Sequence, residues 1–294
     1  MTAAAYRTRT INRERRSTKR VAQLDRQILD VLRIDHPQSI RHVFYRMTDP
    51  RLAEPVEKSE RGYRAVQHRL KQLRRAGTVP YGWITDATRR GYFVNTFTDR
   101  FDFVQRISGL YRADLWSSVD CYCEVWTESR SIAGIIEDDC SELAVPLYPA
   151  GGFSSITLAY QAAEAINAEY NGRRLIIYFI GDYDPAGVLI DLAVEGELRR
   201  HLDADVSMAF VRLGITAQQI AEYDLPTKPR KAGDRRSLHV AETVEAEAMP
   251  AAIMRTLLRD AVESLLPDNA LEVARAAEES ERSFLLRWAN AGPS

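Results

Sequence analysis

Apolar positions in the first eighty residues recur at helical spacing. After Ser17, a residue type suited to an N-cap, Val21, Leu24, Ile28, Val31 and Leu32 form one stripe that ends before Pro37. Ser39 can cap a second helix that turns Ile40, Val43, Phe44 and Met47 inward and ends near Asp49-Pro50. A third helix begins after Ser59, buries Tyr63, Val66, Leu70 and Leu73, and stops at Gly77. Residues 79–94 then carry short aromatic and β-branched runs, read as a hairpin turning at Thr88-Arg89-Arg90-Gly91.

Three helices followed by a hairpin predict a winged-helix domain over residues 21–112, preceded by a basic arm, 1–20. Beyond a helical connector with Phe101, Val104, Ile107 and Leu110, the period changes. Strands are expected at 121–126, 144–148, 175–180 and 206–212, alternating with helices at 131–138, 155–170 and after Gly187. That alternation predicts an α/β domain with a parallel sheet over residues 113–294, including C-terminal helices. The tail after Leu266, with Phe284, Leu285 and Trp288, is expected to be a helix used in packing or dimerisation.

Composition narrows the class. With 294 residues, 45% hydrophobic and 28% charged, the chain falls among globular proteins of about two domains. Its longest uncharged stretch, 143–163, is broken by Pro146, Pro149 and Gly151-Gly152, so no membrane span is expected. The basic start has no apolar run behind it, which excludes a secretory signal; a phosphate-gripping arm is preferred to a transit peptide. Cys121, Cys123 and Cys140 are too few for a disulfide framework or a four-thiolate zinc site, so buried thiols in a reducing cytoplasm are expected. In a prokaryote the protein would associate with the nucleoid.

The formal charge of −1 conceals a segregation. Residues 1–112 hold 24 Lys/Arg against 11 Asp/Glu, net +13, which leaves the remainder at net −14. A nucleic-acid-binding module joined to an acidic, metal-binding module has this signature. On the third helix Arg64, His68, Arg69, Lys71, Arg74 and Arg75 point outward, and Arg89 and Arg90 crown the hairpin, where duplex DNA would lie. The alternative is a solvated basic surface.

Two sets of residues carry chemistry. Arg41 and Tyr45 are four apart, so a helix stacks a guanidinium beside a phenol that need not be fully buried. In the acidic half, the 175–180 run enters Gly181-Asp182-Tyr183-Asp184-Pro185-Ala186-Gly187. Asp182 and Asp184 would leave the C-terminal edge of a parallel strand together, and Glu128 ends an earlier strand at the same edge. Three hard oxygen donors beside a helix N-terminus suggest Mg²⁺ and a phosphate. Haloacid dehalogenase phosphatases and response regulators also place acids at such an edge.

Glu128 followed by a hydrophobic strand and Asp-x-Asp-Pro-x-Gly resembles the Toprim signature, in the form found in the A subunit of topoisomerase VI and its meiotic break-forming relatives. Arg41-His42-Val43-Phe44-Tyr45 is similar to that family's Arg-x-x-Tyr/Phe-Tyr motif. The resemblance covers residues 20–265 in order, with weaker matches at Gly151-Gly152-Phe153-Ser154 and 243–248. It implies a winged-helix domain followed by a Toprim domain of Rossmann-like parallel sheet. It further implies a homodimer that cleaves double-stranded DNA, Tyr45 as nucleophile, Arg41 as its electrostatic partner, and Mg²⁺ on Glu128, Asp182 and Asp184. The tyrosine of one subunit would work with the metal site of the other. Ser129 stands where the family usually has Lys, and His42 where an acid is common. With no phosphate-binding Gly-Lys-Ser/Thr loop, ATP-driven strand passage would need a separate ATPase subunit. The alternatives are a Toprim nuclease of a plasmid or phage defence system, hydrolysing DNA with water, and a non-enzymatic DNA-binding module.

Overall fold

The computed structural model describes residues 16–85, 94–151, 156–169, 172–229, 240 and 242–290. Most of the basic arm, the expected hairpin turn with Arg89 and Arg90, residues 152–154, and most of a Lys- and Arg-rich run at 228–236 that could also reach DNA lie outside the described residues.

The N-terminal helices are α1 (Thr18–Ile34), α2 (Ile40–Met47) and α3 (Glu60–Arg75). Each begins at a serine whose hydroxyl accepts from a backbone amide three residues on: Ser17 from Arg20, Ser39 from His42, Ser59 from Gly62. Gly77, at φ +72°, follows α3 in the left-handed region that glycine tolerates best. The expected hairpin departs from its first strand: residues Tyr81–Trp83 form a 3₁₀ turn, and Ile84 makes a single parallel bridge to Gln38. Pro80 and Gly82 interrupt a strand here, while the Trp83 ring stacks on His36 at 4.5 Å.

After α4 (Arg100–Ile107) come β1 (Cys121–Thr127), α5 (Arg130–Glu142), β2 (Leu147–Pro149), α6 (Ile156–Glu169), β3 (Arg174–Ile180), α7 (Gly187–His201) and β4 (Met208–Gly214). The four strands form one parallel sheet in the order β2-β1-β3-β4. The molecule is therefore mixed α/β, as the change of period predicts. Alternate residues of the central strands serve opposite layers. Leu175, Ile177 and Phe179 pack with Trp126 against α6 and α7. Ile176, Tyr178 and Ile180 face the other way, into a cluster that also holds Leu24, Ile28, Val43 and Leu70 of the N-terminal helices.

That cluster closes on α9 (Ala251–Glu263) through Met254, Leu258 and Val262, so its apolar core is continuous from α1 to α9. Arg255 ties the layers together, bonding Asp35 at 2.6 Å, the Pro37 carbonyl, and the Ile135 carbonyl at 3.2 Å. The C-terminal α10 (Ala270–Asn290) packs along α4, with Phe284 and Trp288 largely exposed. Short elements α8 (Ala217–Glu222), β5 (Lys228–Pro229) and β6 (Glu242–Thr243) lie between β4 and α9, and β5 pairs antiparallel with β6. All three cysteines are free and buried. Among the described residues no helix is long and apolar enough to cross a membrane.

Candidate active site at the sheet edge

β1 and β3 run parallel, so Glu128 and Asp182 emerge at the same edge. The Asp182 amide donates to Glu128 Oε2 at 2.8 Å, and Asp182 Oδ1 in turn accepts from the Ala246 amide at 2.8 Å. Asp184 Oδ1 accepts from the amides of Ala186 and Gly187, at 2.8 and 2.6 Å, holding the first turn of α7. Two glycines make these approaches possible. A Cβ on Gly181 would stand 2.8 Å from Glu128 Oε2, and one on Gly187 would stand 2.3 Å from the Asp182 carbonyl oxygen.

Burial, then the neighbouring Glu128 charge, pushes the Asp182 carboxyl up to about 8. Burial also raises Glu128, with Asp184 adding repulsion. Hard carboxylate oxygens that repel one another suit a divalent cation such as Mg²⁺. Among the described residues, however, no three His, Cys, Asp or Glu side chains are grouped closely enough to hold a metal ion together. Mg²⁺ commonly takes one or two carboxylates, completing its shell with water and phosphate oxygens, and Glu128 and Asp182 are the two neighbouring carboxylates at this edge.

A segment that sequence reading treated only as a weak family landmark proves central. Tyr183, between the two aspartates, exchanges both backbone hydrogen bonds with Val244 at 2.8 Å. This pairing delivers Glu245 and Glu247 to the site. Glu247 is buried beside Ser131, and burial raises its carboxyl, with Arg41 opposing the shift. Ser131 bonds Ser39 at 2.9 Å, and Ser39 lies 2.9 Å from His42 Nδ1, so a buried polar chain links the acids to the start of α2. Burial and two arginines push His42 down to about 3, so this histidine stays neutral at ordinary pH.

Glu245 meets the predicted pair. Its carboxylate accepts from Arg41 Nη1 at 2.5 Å, from Lys228 Nζ at 2.9 Å, and from the Tyr45 hydroxyl. Tyr45, placed off the apolar stripe as a phenol that need not be fully buried, is in fact only 4% exposed. The reason is that α2 is covered on two sides, by α1 and α3 and by residues 246–248. Nor does Arg41 stack on Tyr45; its guanidinium lies over the Tyr63 ring, 5.7 Å from the centroid. Burial, then the Glu245 hydrogen bond and charge, raises the Tyr45 pKa far above that of an ordinary phenol. Against its burial, the Tyr45 hydroxyl, then Lys228 and Arg41, hold the Glu245 carboxyl down at about 2.

The basic face of α3 divides in two. Arg64, Lys71, Arg74 and Arg75 line a groove of about 670 Å³ with His68 and Tyr81. Arg74 sits over the Tyr81 ring at 4.5 Å, and Arg64 pairs with Glu60 at 2.9 Å. Arg69 belongs instead to the fold, gripping both oxygens of Asp25 at 2.7 and 2.6 Å. Comparison with protein-family models, curated proteins and solved structures finds no match to this chain.

Proposed function

We propose that the protein is a Mg²⁺-dependent DNA-cleaving enzyme that links itself to DNA through a phosphotyrosyl bond at Tyr45. The observation that carries this reading is the convergence, within one chain, of the Tyr45 hydroxyl, the two cations Arg41 and Lys228, and a carboxylate-rich sheet edge on the segment 244–247. The winged-helix plus Toprim arrangement and the family resemblance belong to this proposal, as do a homodimer on duplex DNA and a separate ATPase subunit.

In the proposed step the Tyr45 oxygen attacks a backbone phosphorus and gives its proton to water, while the sugar oxygen on the opposite side departs with the bonding electrons and takes a proton from water. Arg41 stabilises charge that develops on the attacking and non-bridging oxygens. Glu128 and Asp182 would hold Mg²⁺, which when bound would neutralise phosphate charge and steady the leaving oxygen, while Asp184 fixes the first turn of α7. Arg64, Lys71, Arg74 and Arg75, with Arg89 and Arg90, would position the duplex through its phosphates.

The burial of Tyr45 and its engagement with Glu245 favour a second reading, a nuclease in which water attacks and Tyr45 is structural. Incubation with supercoiled plasmid and Mg²⁺, quenched with detergent, separates them. Protein-linked ends that vanish in Tyr45→Phe support transesterification. Free ends that persist in Tyr45→Phe and vanish in Asp182→Ala support hydrolysis. Salt-sensitive binding with no cutting supports a binding module.

A further inference from the structure

Three cations surround one carboxylate beside Tyr45. Arg41 and Lys228 bond Glu245 directly, while Lys58 Nζ and Lys228 Nζ sit 5.3 and 5.9 Å from the Tyr45 ring centroid. These side chains line a cavity of about 120 Å³. Glu60, on its rim, is engaged by Arg64, so Glu245 is the anion that the cationic cluster grips. Lys58 donates to the Pro226 carbonyl at 2.7 Å, an anchor that aims its ammonium inward without neutralising it. The pocket thus has more positive than negative charge, and a space whose occupied position presents two anionic oxygens to an arginine and a lysine.

We propose that this pocket is a phosphodiester subsite. Arg41, Lys58 and Lys228 together hold one backbone phosphate of DNA, and Glu245 fills the anion's position when DNA is absent. The non-bridging oxygens of a phosphodiester match the paired oxygens of a carboxylate and accept from the same guanidinium and ammonium donors. Entry of the phosphate displaces Glu245 and so releases the Tyr45 hydroxyl from its acceptor. Taking DNA as the source of the anion rests on the DNA-cleavage proposal. The two are separated by measuring binding without metal and without cleavage.

The experiment is fluorescence anisotropy of a labelled duplex of about 30 base pairs in EDTA, over a series of salt concentrations. Glu245→Gln, which removes the resident charge, tightens binding by about tenfold, while Glu242→Gln, an exposed acid on the neighbouring strand, changes it by less than about twofold. Lys58→Met and Lys228→Met each weaken binding and lower the slope of log K against log salt by about 0.9, one phosphate contact apiece. Adding Lys228→Met to Glu245→Gln removes the gain.

The proposal is overturned if Glu245→Gln binds no tighter than Glu242→Gln, or if both lysine variants keep the parent's salt slope. Circular dichroism checks each fold, and the lysine variants decide the matter should Glu245→Gln fail to fold. Protein-linked DNA ends combined with unchanged binding in all variants would sink the subsite and leave the cleavage proposal standing. Shifted binding with no cleavage would do the reverse.

Discussion

Replacing Gly187 by alanine tests whether the Asp182-to-Asp184 turn is as tightly closed as the structure makes it. The added Cβ would lie 2.3 Å from the Asp182 carbonyl oxygen and 3.3 Å from the Asp182 Cβ. Reaching ordinary contact needs a shift of ~1 Å between the turn and α7, an overpacking that typically costs ~1–3 kcal/mol. The same shift stretches the 2.6 Å bond from the Gly187 amide to Asp184, worth ~1 kcal/mol more. The expected loss is ~3 kcal/mol. An unfolding entropy of ~2.1 cal/mol/K per residue over 294 residues converts this to a fall of ~5 °C in Tm. Gly196, exposed on the same helix with nothing within 4 Å of its Cβ position, supplies the opposite case. Gly196→Ala should gain up to ~1 kcal/mol, since glycine is the poorer helix former. Thermal melts and urea midpoints of both variants read the two signs. A Gly187→Ala protein as stable as the parent would refute the close packing of the turn.

Two further outcomes follow from buried charge. Glu124 is fully buried, accepting from the Trp126 indole at 2.9 Å and the Tyr122 hydroxyl at 3.2 Å, and burial pushes its carboxyl up to about 7. The folded protein then keeps a proton that the unfolded chain loses near pH ~4.5, so stability is present below that pH and lost as pH rises through about 7. Glu124→Gln should therefore raise the urea midpoint relative to the parent more at pH 8 than at pH 5, a difference of ~3 kcal/mol, and equal effects at both pH values would contradict it. On α3, Arg69→Ala should lower stability by ~1–3 kcal/mol through loss of the Asp25 fork. Lys71→Ala should leave the melting temperature unchanged while weakening DNA binding; the opposite pattern would reassign the two residues.

The fold was legible wherever one local signal sufficed. Ser17, Ser39 and Ser59 announce the three N-terminal helices, and the Leu-Ile-Ile-Tyr-Phe-Ile run announces β3, because capping and burial on both faces write themselves into neighbouring residues. The first strand of the expected hairpin was overread, since aromatic and β-branched content alone does not build a strand through Pro80 and Gly82. Arg69 shows the limit of helical periodicity: its position on α3 places it outward with Lys71 and Arg75, and only the packing of α1 reveals Asp25 beside it.

Glu245 was hidden for a stronger reason. It lies about 200 residues from Arg41 and Tyr45, in a segment with neither helical nor strand period, and reaches them only because Val244 pairs with Tyr183 between the two aspartates. No spacing rule connects those positions; a tertiary hydrogen-bond pair does. That pairing also changes what the charge segregation means. The most intimate use of the basic half's cations is internal, since Arg41 is met by a carboxylate from the acidic half, with Lys228 joining from the same side. A phosphodiester arriving at this pocket must therefore compete with an anion already tethered in place. Under the proposed subsite, affinity for DNA would be set by the difference between two anions for one set of donors, and the overall charge of −1 would say little about it.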